Sequence, residues 1–280
     1  MAARDADIHA GQDVLEVGTG AGYSTALACQ RLGSDHVTSI EVDDRRLGQA
    51  AEALYSLDYI PDLAVADGLF GYRPTAPFDR IVAACSVRQL PAAWTAQTRP
   101  GAKILTTLGG WLYGYARVLA TVDGDGTASG PLLPGTVSFM AARAQEPPAF
   151  GNPAHWARLL DSTGRPARHH PDRITAATSE AFFTRFLVQC TIPDAQLSDQ
   201  GDALYLVDVV SGSVAALTRD DQGWRVREGG PRRLWEKVET LLDAYDDADC
   251  PAPETFTLDI TPAAQILRHP ALPELHLPRP

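Results

Sequence analysis

The chain has 280 residues, 45% of them hydrophobic and 21% charged, with a formal net charge of −11. This is the make-up of a globular protein long enough for one large domain or two smaller ones, and its acidity argues against a nucleic-acid partner, since binding phosphates takes clustered Lys and Arg. Cys29, Cys85, Cys190 and Cys250 stand far apart with no C-x-x-C pair, and the most apolar stretch, 104–122, is broken by glycines and Arg117; reduced thiols of a cytoplasmic protein are expected, with no metal site and no membrane span.

Residues 14–17 read as a short buried strand, followed by three alternating glycines and a helix over 24–32 that Gly33 closes. Glycine suits a backbone that turns sharply and lies against a ligand, with no Cβ in the way. The helix behind it aims its free N–H groups at the turn. A nucleotide-like ligand is therefore expected at the carboxyl ends of parallel strands. A dinucleotide fingerprint needs Gly-x-Gly-x-x-Gly, and its third glycine falls on Tyr23. What stands here is Glu16-x-Gly18-Thr19-Gly20-x-Gly22, an acid ahead of the glycines. A carboxylate suits a ligand carrying an ammonium and a sulfonium better than a pyrophosphate.

Residues 37–40 form a β-branched second strand ending in Glu41, about 20 positions beyond the glycines and placed to accept from a ribose diol. A helix over 47–57 follows, then a strand over 63–66 that runs into Asp67-Gly68. Asp67 is a candidate acceptor for an adenine amine, against the plainer reading of an Asp-Gly turn. Residues 78–85 read as the central strand, 90–98 as a helix and 103–107 as the next strand. Strands over 111–122 and 136–143, joined by the turn 123–126, are expected to pair antiparallel at the sheet edge. The fold class is α/β: a doubly wound, Rossmann-like sheet ending in an antiparallel hairpin.

The glycine motif resembles the first motif of S-adenosylmethionine-dependent methyltransferases. Together with Pro77-Phe78-Asp79-Arg80-Ile81 and Gln97-Thr98-Arg99-Pro100-Gly101-Ala102, the first half is similar to the protein-L-isoaspartate O-methyltransferase family. That resemblance implies S-adenosylmethionine as cofactor and an aspartyl or isoaspartyl carboxylate of a protein or precursor peptide as methyl acceptor. By motif position it places Glu16, Gly18, Thr19, Gly20, Gly22, Tyr23, Glu41, Asp67 and Gly68 around the cofactor, and it leaves the catalytic residues unassigned. Ser86 and Arg88 are candidates to meet the acceptor.

The chain departs from the family's pattern in three ways. Family members carry a substantial segment, with a Ser/Thr-containing substrate motif, ahead of the first strand; here residues 1–13 stand there without it, so that segment is expected to be missing. The run Ala84-Cys85-Ser86-Val87 replaces a Thr-Ala-Ala-like one. The C-terminal extension resembles that of isoaspartyl-type methyltransferases found with ATP-grasp and lanthipeptide maturation systems. A cofactor-binding remnant without catalysis, or a nicotinamide-dependent oxidoreductase, are the competing readings.

The expected organisation is a cofactor domain over 1–145, a linker over 146–154 and a smaller α+β unit over 155–280. In that unit a helix is read over 180–190, an antiparallel meander over 203–210, 214–218 and 224–227, a helix over 231–246 and a strand over 255–260. Adjacent His169 and His170 lack a suitably spaced acid or Cys for a metal. Trp111, Tyr113 and Tyr115 are expected to serve mainly as core.

Overall fold

The computed structural model describes residues 5–278. In chain order the first sheet takes β1 (Val14–Val17), β2 (Val37–Glu41), β3 (Asp62–Val65), β4 (Phe78–Val87), β5 (Thr98–Leu108), β6 (Ala116–Val122) and β7 (Ala128–Leu133). The second sheet is built from β8 (Arg165–Pro166), β9 (Ala195–Asp199), β10 (Ala203–Asp208), β11 (Ser213–Asp220) and β12 (Gly223–Gly229). The chain then returns: β13 (Thr257–Ile260), β14 (Gln265–Arg268) and β15 (Leu275–His276) add to the first sheet, which runs β15-β14-β13-β7-β6-β5-β4-β1-β2-β3.

From β3 to β5 every pairing is parallel, and from β5 onward every pairing is antiparallel. The strand order 3-2-1-4-5 reverses direction between β1 and β4, which opens a crevice at their carboxyl ends. The expected doubly wound sheet is therefore present. Its central strands bury both faces: Leu15, Ile81 and Ile104 have no exposed surface, and Trp94 packs with them in the same core. That core continues without a break into the C-terminal half through Phe183, Phe186 and Trp235. Helix Ser179–Thr191, capped by Thr178 accepting from the Ala181 N–H, and helix Leu234–Asp247 supply those side chains.

Two expected edge strands differ. The strand before the turn begins at Ala116 rather than Trp111, because 109–115 form a loop. The strand after it is Ala128–Leu133, not 136–143. Pro134 and Gly135 (φ +79°) stop that strand, since proline cannot donate to a ladder and the left-handed backbone ends it. Gly130 and Pro131 disguise the true strand as a loop. Gly130 is required, because a Cβ there would sit 1.9 Å from the Leu119 carbonyl oxygen. Strands β8, β9, β14 and β15 also lie outside the expected set.

Residues 136–143 instead cross the end of β4. The Ser86 N–H donates to the Met140 carbonyl and the Ala142 N–H to the Ser86 carbonyl, both at 2.9 Å. This crossing segment, extended through a short 3₁₀ turn at Arg143–Gln145, forms part of the site; the linker expected from 146 onward is continuous with it.

Candidate functional site

The crevice encloses about 250 Å3 and is lined by Gly18, Gly20, Glu41, Asp67 and Gly68 together with Met140 and Glu146. The glycine turn is held from below: the Gly18 and Thr19 N–H groups donate to the Ile40 carbonyl at 2.8 and 3.1 Å. Gly18 (φ +97°) and Gly20 (φ +57°) take left-handed backbone, and a Cβ on Gly20 would project into open space. At the end of β2, Glu41 joins strand to turn. Its Oε2 accepts from the Gly20 N–H at 3.0 Å, and its Oε1 accepts from Val42 and Asp43. Asp67 accepts from the Leu69 N–H at 3.0 Å, and Trp94 Nε1 donates to the Gly68 carbonyl at 2.7 Å, fixing the second turn. Gly68 admits no side chain, as a Cβ would lie 2.2 Å from Val17 Cγ1.

Four of the nine expected cofactor residues do not line the crevice. Gly22 (φ +79°) packs against Leu54. Tyr23 opens the first helix and is 75% exposed to solvent. Thr19 and Glu16 are buried behind the turn, with Thr19 Oγ1 2.7 Å from Ser39 Oγ. Glu16 corrects the expectation most sharply. Its Oε2 accepts from Thr25 Oγ1 at 2.5 Å and from Ser39 Oγ at 2.7 Å, so the carboxylate ties the first helix to β2 instead of facing a ligand.

Burial pushes the Glu16 carboxyl above its ordinary value, and the hydroxyls of Ser24, Thr25 and Ser39 offset this in part. The folded state then holds a proton that the unfolded chain has released, so stability is lost as pH rises from about 4.5 through the raised folded value. Glu16→Gln is expected to flatten that slope. Melting temperatures at several pH values between 5 and 8 check this, with Glu228, also raised by burial, supplying the slope that remains. Asp13, Asp43 and Asp246 are held below the ordinary value by hydrogen bonds, from His36, Arg46 and Arg173 respectively. They contribute stability above their unfolded value that is lost only in more acidic solution.

Residues outside the expected set complete the crevice. Arg46 lies in the first turn of the helix Asp44–Tyr55 that follows β2, with its Nε 3.9 Å from Asp43. Met140, Ala141, Ala142, Arg143 and Glu146 come from the crossing segment. Arg46 could have been found from its spacing; the others could not, because they reach the site only after Pro134-Gly135 turns the chain. Cys85 also lines the crevice, and burial pushes its thiol up to about 11.

Arg88 does lie near the end of β4, but its guanidinium is engaged: it donates to Asp194 Oδ1 at 2.9 Å and the Pro193 carbonyl at 2.8 Å, and covers the Trp111 ring at 4.0 Å. Ser86 Oγ donates to the Phe139 carbonyl at 3.1 Å. Trp111 is core as expected, whereas Tyr113 is half exposed. His169 pairs with Asp243, and His170 accepts from Trp224 Nε1. Among the described residues no helix is long and apolar enough to cross a membrane.

Comparison with known proteins shows what the first half of the chain is similar to. Residues 2–128 match the family model described as protein-L-isoaspartate(D-aspartate) O-methyltransferase. A protein-L-isoaspartate O-methyltransferase of Anaeromyxobacter sp. is 38% identical over 98 residues, covering 34% of this chain and 45% of its own length. One from Methanococcus maripaludis is 37% identical over 105 residues, covering 37% and 50%. The chain thus spans about half the length of the curated relatives it matches. A solved protein-L-isoaspartate O-methyltransferase aligns over 96% of this chain and 78% of its own, with a TM-score of 0.54 and 19% identity, which shows a shared fold extending beyond the family-matched region.

Proposed function

We propose that the chain is an S-adenosylmethionine-dependent O-methyltransferase acting on an aspartyl or isoaspartyl carboxylate of a protein or precursor peptide. The observation that carries the reading is the acid-lined crevice at the switch point, where Glu41 is bonded to the Gly20 turn and Asp67 and Glu146 share the lining. Arg46 and Arg143 line the same crevice and offset part of this charge, but three carboxylates against two guanidinium groups leave it net negative, which favours a cationic nucleoside over a pyrophosphate. The Glu41 carboxylate keeps acceptor sites for a ribose diol beside the backbone donors that orient it. Tyr23, where a dinucleotide turn needs glycine, weighs against a nicotinamide cofactor.

When bound, the sulfonium supplies an electrophilic methyl group. An aspartyl carboxylate is ionised at neutral pH and attacks without a general base, so the chain's own task is positioning and exclusion of water. Met140 and Ala141, on the crossing segment, form the wall on that side. Cys85 stays a protonated thiol near neutral pH because burial holds its pKa high, and so does not compete as a nucleophile for the methyl group. Action on a precursor peptide is the finer reading. It is supported by the way the C-terminal half, through Asp194, braces Arg88 at the end of the central strand.

Calorimetric titration of the chain with S-adenosylhomocysteine is expected to give saturable binding, with none for NAD. Methyl transfer to aspartyl and isoaspartyl peptides is then followed by mass spectrometry. Tight NAD binding, or cofactor binding with no transfer to any such peptide, would overturn the assignment.

A further inference from the structure

Beside the crevice lies a second cavity of about 640 Å3, whose lining includes Arg88, Trp111, Tyr113, Tyr115, Phe139 and Glu146. Met140, Ala141 and Glu146 line both spaces, so the crossing segment is a partition between them. The aromatic side of the cavity is the loop 109–115, and it is fastened to helix Ser179–Thr191. The Gly114 carbonyl accepts from Gln189 Nε2 at 2.9 Å, and the Gly114 N–H donates to Gln189 Oε1 at 3.3 Å. So docked, the loop holds Tyr113 at φ +60° with its ring half exposed. A tyrosine is rarely kept in left-handed backbone, and such strain concentrates where a side chain is needed in a particular place.

Two charged side chains line the cavity. The charge of Arg88 is countered by Asp194, while its buried Nε has no hydrogen-bond partner among the described residues. Glu146 is exposed and has no ion-pair partner among the described residues. What remains to a ligand is one uncompensated negative charge beside aromatic rings, in a chain of net charge −11. Aromatic faces and a carboxylate both attract a cation, and the overall field draws one in.

We propose that this cavity is a specificity subsite for a lysine or arginine side chain of the acceptor peptide, adjacent in sequence to the methylated aspartate. The proposal rests on the aspartyl-peptide reading above and adds what the peptide carries. Tyr113 and Glu146 hold the cationic group, while the acceptor carboxylate reaches past the partition toward the crevice. Gln189 acts only by keeping the aromatic loop in place.

The test uses the full chain with saturating S-adenosylhomocysteine and three aspartyl hexapeptides that differ only in the residue after aspartate: Lys, Phe or Gly. Calorimetry is expected to show the Lys peptide binding at least tenfold tighter than the other two, with the preference shrinking in high salt. Tyr113→Gly, which suits the backbone angle, is expected to remove most of that preference while leaving the Gly peptide's affinity unchanged. Glu146→Gln, whose side chain also lines the crevice, is read only as the ratio of Lys-peptide to Gly-peptide affinity at saturating S-adenosylhomocysteine, and that ratio is expected to fall toward one. Equal affinity for the three peptides, a preference for Phe, no binding of any of them, or a Lys preference that survives both substitutions overturns the subsite. Methyl transfer scored on the same peptides separates the two claims: a Lys preference in binding with no transfer leaves the subsite standing and removes the methyltransferase reading.

Discussion

Glu41→Ala is expected to weaken S-adenosylhomocysteine binding by roughly a hundredfold, about 2.8 kcal/mol, while the chain still folds. Glu41 stands at the end of β2, partly exposed, with its carboxylate oriented by three backbone N–H groups. Hydrogen bonds to an ionised group contribute about 1.5–3 kcal/mol each, so losing a bidentate hold on a ribose diol accounts for an effect of this size. The substitution also frees the Gly20 N–H, which has Glu41 Oε2 as its partner. Because that N–H lies at an open crevice, water replaces the lost acceptor and the melting temperature should change little. Glu41→Gln keeps the shape but loses the charge, and a loss of about tenfold is expected. The calorimetric Kd with a parallel thermal melt checks both, and an unchanged Kd in Glu41→Ala removes this residue from the site.

The second large effect is on stability. Gly114→Ala is expected to cost about 3 kcal/mol, combining the 1–3 kcal/mol typical of overpacking with an impaired buried hydrogen-bond pair. The new Cβ would lie 2.4 Å from the Phe186 backbone nitrogen and 2.6 Å from the Arg185 carbonyl carbon. Backbone inside a helix cannot step aside. Gly110→Ala meets only the end of the Gln189 side chain, at 2.7 Å, and should cost less because that amide can rotate away. For a chain of this size 3 kcal/mol corresponds to a melting temperature about 6–12 °C lower. Affinity for S-adenosylhomocysteine should hold in the folded fraction, since the 109–115 loop does not line the crevice. A melting temperature within a degree of the parent would show that loop and helix are not packed as described.

The parts of the fold legible in the sequence were those whose signal is local. The parallel strands of the first half declare themselves through short β-branched or apolar runs ending in Gly or acidic residues, and Glu41, Asp67 and the glycines follow from position along that pattern. Glu16 was misplaced for a local reason as well. A carboxylate next to a glycine turn suggests a ligand, and only the burial of Thr25 and Ser39 on either side shows that its partners are internal. The crossing segment was illegible because 136–143 looks as strand-like as the true edge strand, while Gly130 and Pro131 make that strand look like a turn. Its role depends on meeting Ser86, some 55 residues earlier in the chain. The docking of loop 109–115 on Gln189 is likewise a long-range contact, and Tyr113 gives no sign in sequence of its backbone angle.

The return of β13 to β15 to the first sheet has a consequence for how the protein is made. Strand β7 finds its outer partner only in β13, well over a hundred residues further along the chain. While synthesis passes through the second sheet, the first therefore carries an open ladder edge, of the kind that invites pairing with other chains. The two sheets are interleaved in the order of translation, and the nascent chain can seal the first only after most of the second has emerged. A shortened gene ending near residue 145 would keep every crevice residue from the glycine turn to Arg143. It would also leave that edge permanently bare, so the cofactor half is better studied inside the whole chain.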